Sequence, residues 1–315
     1  MRRRASAAAA VCLLGWAVTA CASPHDGAEL FTTMSESPAT EPVAPGEHAE
    51  PLSPPAVEKR TITAAGLQRE FILSLPAGAR QRARLPLIMV FHGYRENAET
   101  IHSYTELDKA DAVVAYMQGK DDAWAPAPYA STTGEQDLAF VDAVRSQLSG
   151  EFRIDPARVF AAGLSNGGGF AAYVGCQRPQ DFTAVATVSA AFYQHVSDGC
   201  SRIPIKQIDF HGTADTVMHY AGGERHNTVY DSTPEMTAEA AERNRCRPQP
   251  VERRVADTVV EERWEDCDAG LEHFRIEGGP HVWPGGLQDD SGTAPKNFAT
   301  DEILDFFRVK HRRPS

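Results

Sequence analysis

The sequence has too few basic residues and too short an apolar run for two large classes of protein. Its 31 lysines and arginines are outnumbered by 43 acids, for a formal net charge of -12. A dedicated nucleic-acid binder needs a basic face to neutralise phosphates, so that class is excluded. The apolar stretch at residues 5–17 reaches roughly 20 Å as a helix, short of the roughly 30 Å of bilayer hydrocarbon, which argues against a polytopic membrane protein. No internal repeat appears, and no histidine and cysteine spacing of zinc type, so no metal is expected. Cysteine is scarce, six residues in 315. What is present is ordinary for a folded protein: 42% hydrophobic and 23% charged residues, in a length that suits one large α/β domain with attachments or two domains.

The first residues do not share the composition of the body. Arg2, Arg3 and Arg4 precede the apolar stretch, the arrangement of an export signal. The stretch closes on Val18-Thr19-Ala20-Cys21, which resembles the bacterial lipobox, where small residues precede a cysteine that is acylated and becomes the new N-terminus. Residues 1–20 are expected to be a lipoprotein signal peptide and Cys21 the lipidation site. The protein would then be exported and membrane-anchored, at the cell surface or in the periplasm. Residues 21–58 read as a linker, because seven prolines and seven acids, and no lysine or arginine, lie between Ala22 and Glu58. A flexible chain of that length spans on average roughly 35 Å, enough to hold a domain clear of a membrane. Much of the acid excess belongs to this tether and says little about substrate.

Residues 59–315 carry the folded body. Thr61–Thr63 and Glu70–Leu75 read as an entry hairpin. The run from Leu85 to Phe91 is continuously apolar and ends at His92-Gly93, the pattern of a strand buried on both faces of a parallel sheet. Similar runs are Ala112–Met117, Val159–Ala162, Phe182–Val188 and Ile203–Phe210, and Leu271–Ile276 reads as a last strand. Between Thr133 and Leu148, the residues Leu138, Val141, Val144 and Leu148 recur at helical spacing behind a Thr133/Gln136 capping box, and Thr300–Phe307 reads as a closing helix. Such alternation predicts an α/β fold with a mostly parallel sheet, helices on both faces and ligands at the carboxyl ends of the strands.

Gly163-Leu164-Ser165-Asn166-Gly167 follows a predicted strand and opens a predicted helix, the context of a nucleophile elbow. The glycines are needed because side chains two residues from the serine would collide with strand and helix. Ser165 is the candidate nucleophile, and it needs a histidine to take its proton and an acid to orient that histidine. Asp215, in the loop after the strand ending at Phe210, is the favoured acid over Asp231 and Asp266. His281 directly follows the last strand and is favoured over His219, His226, His273 and His311. An oxyanion hole requires two backbone N–H groups, which the fold would draw from Asn166 and Tyr94. Trp124, Tyr220 and Trp283 stand in loops near the expected cleft and are candidates to stack on an aromatic or sugar group.

Four segments together resemble one family of α/β-hydrolases: Phe91-His92-Gly93-Tyr94, Gly163–Gly168, His211-Gly212-Thr213-Ala214-Asp215 and Gly279–Gly285. They are similar to the polyhydroxybutyrate depolymerase and feruloyl esterase group, which includes lipoproteins of the LpqC type. The resemblance covers roughly residues 61–310, with His281-Val282-Trp283-Pro284-Gly285 its most specific part. It implies a serine esterase with Ser165, Asp215 and His281 as triad, Tyr94 and Asn166 as oxyanion donors, no cofactor, and a small or oligomeric soluble ester as substrate. A monomer is expected. Arg95, Glu96, Pro280 and Ala240 depart from the family pattern around the expected cleft, so substrate identity does not carry over. Once Cys12 leaves with the signal and Cys21 takes lipid, four cysteines remain, and the resemblance implies the pairs Cys176–Cys200 and Cys246–Cys267. An envelope acyltransferase and a non-catalytic surface-binding lipoprotein are the rival readings of the same chain.

Overall fold

The computed structural model describes residues 53–312; the expected signal peptide, Cys21 and nearly all of the expected linker lie outside them. In chain order the elements are β1 (Ala56–Ala64), β2 (Leu67–Leu75), β3 (Ala83–Phe91), α1 (Ala98–Thr105), β4 (Val113–Met117), α2 (Gly134–Glu151), β5 (Arg153–Leu164) and α3 (Asn166–Gln177). There follow β6 (Ala184–Val188), β7 (Lys206–Gly212), β8 (Gly223–Arg225), β9 (Thr228–Tyr230), α4 (Thr233–Arg243), β10 (Val251–Ala256), β11 (Val259–Arg263), β12 (Leu271–Ile276) and α5 (Phe298–Phe306). Ten strands form one sheet in the order β1-β2-β4-β3-β5-β6-β7-β12-β11-β10, and β8–β9 is a separate hairpin. From β4 through β12 in that order neighbours are parallel, while β1, β2, β11 and β10 add antiparallel edges. The fold is thus α/β, with the mostly parallel sheet of an α/β-hydrolase.

The apolar runs become central strands because each face of the sheet has its own core. Along β3, Leu87, Met89 and Phe91 point to the layer that holds Leu138, Val141 and Val144 of α2 and Phe170 and Val174 of α3. Ile88 and Val90 point the other way, toward Ile101 of α1 and Ile303 and Leu304 of α5. Each such side chain contributes roughly 1.5–3 kcal/mol on burial. The Thr133/Gln136 capping box starts α2, with Thr133 Oγ1 accepting from the Gln136 amide and Gln136 Oε1 from the Thr133 amide.

The expected linker boundary needs correction. β1 begins at Ala56, inside the expected linker, and Val57 and Glu58 already pair with Ser74 and Leu73. This strand alternates half-buried and exposed residues, so it lacks an apolar run to betray it. β10 and β11 were not legible for the same reason: β10 is largely exposed and polar, and β11 mixes apolar and acidic residues. Among the described residues no helix is long and apolar enough to cross a membrane.

Candidate active site

Ser165, Asp215, His281 and Tyr94 follow β5, β7, β12 and β3, four strands of the parallel part of the sheet, and so share its carboxyl edge. Ser165 sits between β5 and α3 at φ 54° and ψ -118°, a backbone state that costs free energy and persists only where the surroundings enforce it. Its N–H donates to the Val188 carbonyl, and its own carbonyl accepts from Gly169 and Ala191. The glycines around it are steric necessities, since a Cβ on Gly163 would lie 2.2 Å from the Gly167 carbonyl oxygen and one on Gly167 would lie 2.1 Å from that of Phe91.

Asp215 Oδ2 meets His281 Nδ1 at 2.6 Å. The other oxygen, Oδ1, accepts from the Val217 and Met218 amides at 2.8 Å each. His211 approaches Oδ2 at 3.3 Å while its Nε2 also meets the Met218 carbonyl at 2.8 Å. The Asp215 side chain is fully buried. Burial alone would raise its pKa, but His211 and His281 outweigh that cost and hold the carboxyl well below the usual carboxylate range. His281, whose side chain is 17% exposed, reaches the cavity onto which Ser165 also opens.

The loop carrying His281 is held from three sides. The Ala214 amide donates to the Gly279 carbonyl, Ser189 Oγ donates to the Val282 carbonyl, and Trp283 Nε1 donates to Thr300 Oγ1 at 2.9 Å. Thr300 Oγ1 in turn donates to the Thr105 carbonyl, so α5 and α1 brace this loop.

Among the described residues neither the Tyr94 nor the Asn166 backbone N–H donates to another protein group. The Asn166 side chain is fully engaged: Oδ1 accepts from the Trp124 amide at 2.8 Å and Nδ2 donates to the Trp124 carbonyl at 2.9 Å. His92 pins the neighbouring loops, its Nδ1 donating to the Gly93 carbonyl and its Nε2 accepting from the Gly119 amide at 2.9 Å. Burial lowers the His92 pKa to about 4, which keeps this imidazole neutral.

A cavity of about 340 Å3 opens at Ser165 and His281, walled by Tyr94, Tyr129, Tyr193 and Met218. The Tyr94 and Tyr129 rings stack with centroids 3.9 Å apart. A recess of about 90 Å3 also borders His281, lined by Glu96, Tyr104, Trp283 and Asp289. Of the three aromatic residues expected at the cleft, Trp283 edges this recess, while the other two lie elsewhere. Trp124 is fully buried behind the elbow, stacked on Phe170 at 4.9 Å. Tyr220 directs its hydroxyl to His273 Nε2 at 3.0 Å, where His273 Nδ1 meets Asp209 Oδ2 at 2.8 Å inside the sheet. Sequence reasoning missed Tyr129 and Tyr193; the short apolar or polar contexts around them carry no signal of a cleft. Both disulfides, Cys176–Cys200 and Cys246–Cys267, are formed. Among the described residues no group of three or more histidine, cysteine or acidic side chains is placed to hold a metal ion.

The fold is shared with an S-formylglutathione hydrolase from Agrobacterium tumefaciens, at a TM-score of 0.53 and 13% identity over 80% of this chain and 94% of that one. In sequence, the chain is 28% identical over 312 residues to "Putative esterase NocK" of Nocardia uniformis subsp. tsuyamanensis, covering 87% of this chain and 89% of the relative. It is 27% identical over 251 residues to "Probable feruloyl esterase C" of Aspergillus niger, covering 76% and 83%. The chain is a carboxylic ester hydrolase on the α/β-hydrolase fold. The sequence profile of the family described as Esterase PHB depolymerase matches residues 69–217. More narrowly, the chain is similar in sequence to the polyhydroxybutyrate depolymerase and feruloyl esterase group.

Proposed function

We propose that the chain hydrolyses soluble carboxylic esters of feruloyl, acetyl or short hydroxyalkanoate type through a Ser165-His281-Asp215 triad. The observation that carries this reading is the 2.6 Å contact of His281 Nδ1 with buried Asp215, beside a serine on a strained elbow opening onto the same cavity. His281 Nδ1–H donates to ionised Asp215, which fixes the tautomer with Nε2 free to take the Ser165 proton. Ser165 Oγ attacks the ester carbonyl and the Tyr94 and Asn166 N–H groups receive the developing oxyanion. The imidazolium returns its proton to the leaving alcohol, and a water activated by His281 then cleaves the acyl-enzyme. Replacing Ser165 with alanine should abolish hydrolysis of p-nitrophenyl acetate and labelling by a fluorophosphonate. Retained turnover in S165A would overturn the assignment.

The chain's place in the cell belongs to the same proposal. A signal at residues 1–20 and a lipid on Cys21 would deliver the enzyme to the outer face of a membrane, with the proline- and acid-rich segment as tether. The expected result is a diacylated N-terminal Cys21 by mass spectrometry of the membrane fraction, lost in C21S. An unmodified, freely soluble mature N-terminus would overturn it.

A further inference from the structure

The two lobes that His281 borders differ in charge. The smaller recess carries Glu96 and Asp289. The larger cavity carries Arg95, Arg225 and His226, with Glu96 its single acid. That Glu96 oxygen is taken by the Gly93 amide and the Tyr104 hydroxyl. Among the described residues neither Arg95 nor Arg225 forms an ion pair. The Arg95 guanidinium lies 5.2 Å over the Tyr94 ring, and the side-chain hydrogen bond of Arg225 is a long 3.4 Å contact with the Val217 carbonyl. Two cations without an ion-pair partner thus stand in the cleft, beside the single carboxylate of Glu96, in a chain whose net charge is -12.

The cations are presented on preorganised backbone. Arg225 closes β8, and the turn to β9 places both His226 and Asn227 at positive φ, 54° and 57°, the geometry of a tight hairpin. Tyr230 of β9 pairs with Tyr193 and accepts the His219 amide on its hydroxyl, which ties the hairpin to the cavity wall. The His226 ring packs edge-on against Tyr129 at 4.8 Å and Tyr94 at 5.8 Å. Its pKa is lowered by burial and by both Arg225 and Arg95, which places His226 within the field of each arginine. A low-dielectric aromatic wall strengthens such a field toward an incoming anion.

The geometry points to esters bearing a second, ionised carboxylate as the preferred substrates, with that carboxylate held by Arg95 and Arg225 in the larger lobe and the adjoining unsaturated body against Tyr94 and Tyr129. This rests on Ser165 being the nucleophile. The test compares kcat/KM for two matched pairs: methyl 4-carboxycinnamate with methyl 4-methylcinnamate, and 4-acetoxybenzoate with p-tolyl acetate. The pair whose charge reaches the larger lobe should favour the anion about fivefold or more at low ionic strength, as expected of two partly exposed ion pairs. The preference should shrink at high salt, approach unity in R95Q/R225Q and invert in R225E. Equal or better turnover of the neutral ester in both pairs would overturn the inference, as would a preference unchanged by these substitutions. Absence of turnover of every ester, with no fluorophosphonate on Ser165, would instead overturn the underlying assignment of the nucleophile and the inference with it.

Discussion

Glu96 Oε2 accepts the Gly93 amide at 2.9 Å, and in doing so removes one of two consecutive N–H groups from the mouth of the site. Tyr104 donates its hydroxyl to the same oxygen at 3.0 Å, fixing the carboxylate in place. The Tyr94 amide is left as the free donor of that loop. On the proposed mechanism Glu96 is a positioning residue: E96A should lower kcat by about tenfold, a fraction of the 10²–10³ that loss of an oxyanion donor itself costs. KM should move less than kcat, and E96Q, which keeps an acceptor oxygen, should recover most of the rate. Steady-state kinetics on p-nitrophenyl acetate checks the split; equal losses in E96A and E96Q would refute it.

The buried His211 beside Asp215 predicts a particular dependence of stability on pH. Burial lowers the His211 pKa, but its contact with Asp215 and the nearby Asp209 charge prevail and raise it above the ordinary histidine value. A group with a raised folded-state pKa stabilises fully below its unfolded pKa, about 6.5, and loses that contribution as pH rises through the folded value. Asp215 has the opposite sign: its depressed pKa stabilises above about 3.9 and that contribution is lost only as pH falls through the folded value. Thermal unfolding should thus show H211N losing more stability at pH 5.5 than at pH 9, by about 2–4 °C for each kcal/mol of difference. A loss independent of pH would show that His211 acts by packing alone.

Trp124 and Tyr129 should separate stability from recognition. Trp124 is wholly enclosed between Phe91, Phe140 and Phe170, so W124A should destabilise by about 3–5 kcal/mol in urea unfolding. Tyr129 stacks on Tyr94 at the cavity, so Y129A should raise KM for aromatic esters with a small change in unfolding midpoint. Similar unfolding midpoints for the two variants would contradict these placements.

Beneath the same loop, Arg69 Nη1 and Asp137 Oδ1 meet at 2.8 Å with both side chains enclosed. Asp137 Oδ2 also accepts from the Ala125 amide and Thr132 Oγ1. Removing one partner of such a pair leaves a buried charge alone, so D137A should cost about 3–5 kcal/mol. The R69M/D137L double variant should recover much of that loss, and urea denaturation of the three proteins measures the coupling.

The legible parts of the sequence were those where burial on both sides of a strand demanded unbroken apolar runs. β3 and β4 could be found from such runs, and the loops after β5, β7 and β12 then gave Ser165, Asp215 and His281 as candidates. The capping box of α2 was legible because both its bonds are local. The remainder depends on tertiary placement. Trp124 reads as a loop aromatic, yet Asn166 draws its backbone against the elbow and turns the ring into the core. Tyr220 lies in a loop too, but the buried Asp209–His273 pair gives its hydroxyl a partner away from the cleft. The β8–β9 hairpin, which brings Arg225 to the site, is three residues a side and leaves no periodicity to read.

The bracing of the His281 loop by Thr300, and of Thr300 by Thr105, also sets an order of events during synthesis. Ser165 leaves the ribosome more than a hundred residues before the helix that steadies the His281 loop, and β12 must insert between strands β7 and β11 that are both already made. A nascent chain, or one cut short before α5, therefore holds Ser165 without a steadied His281. On the proposed mechanism, hydrolytic capacity arrives only once α5 has formed.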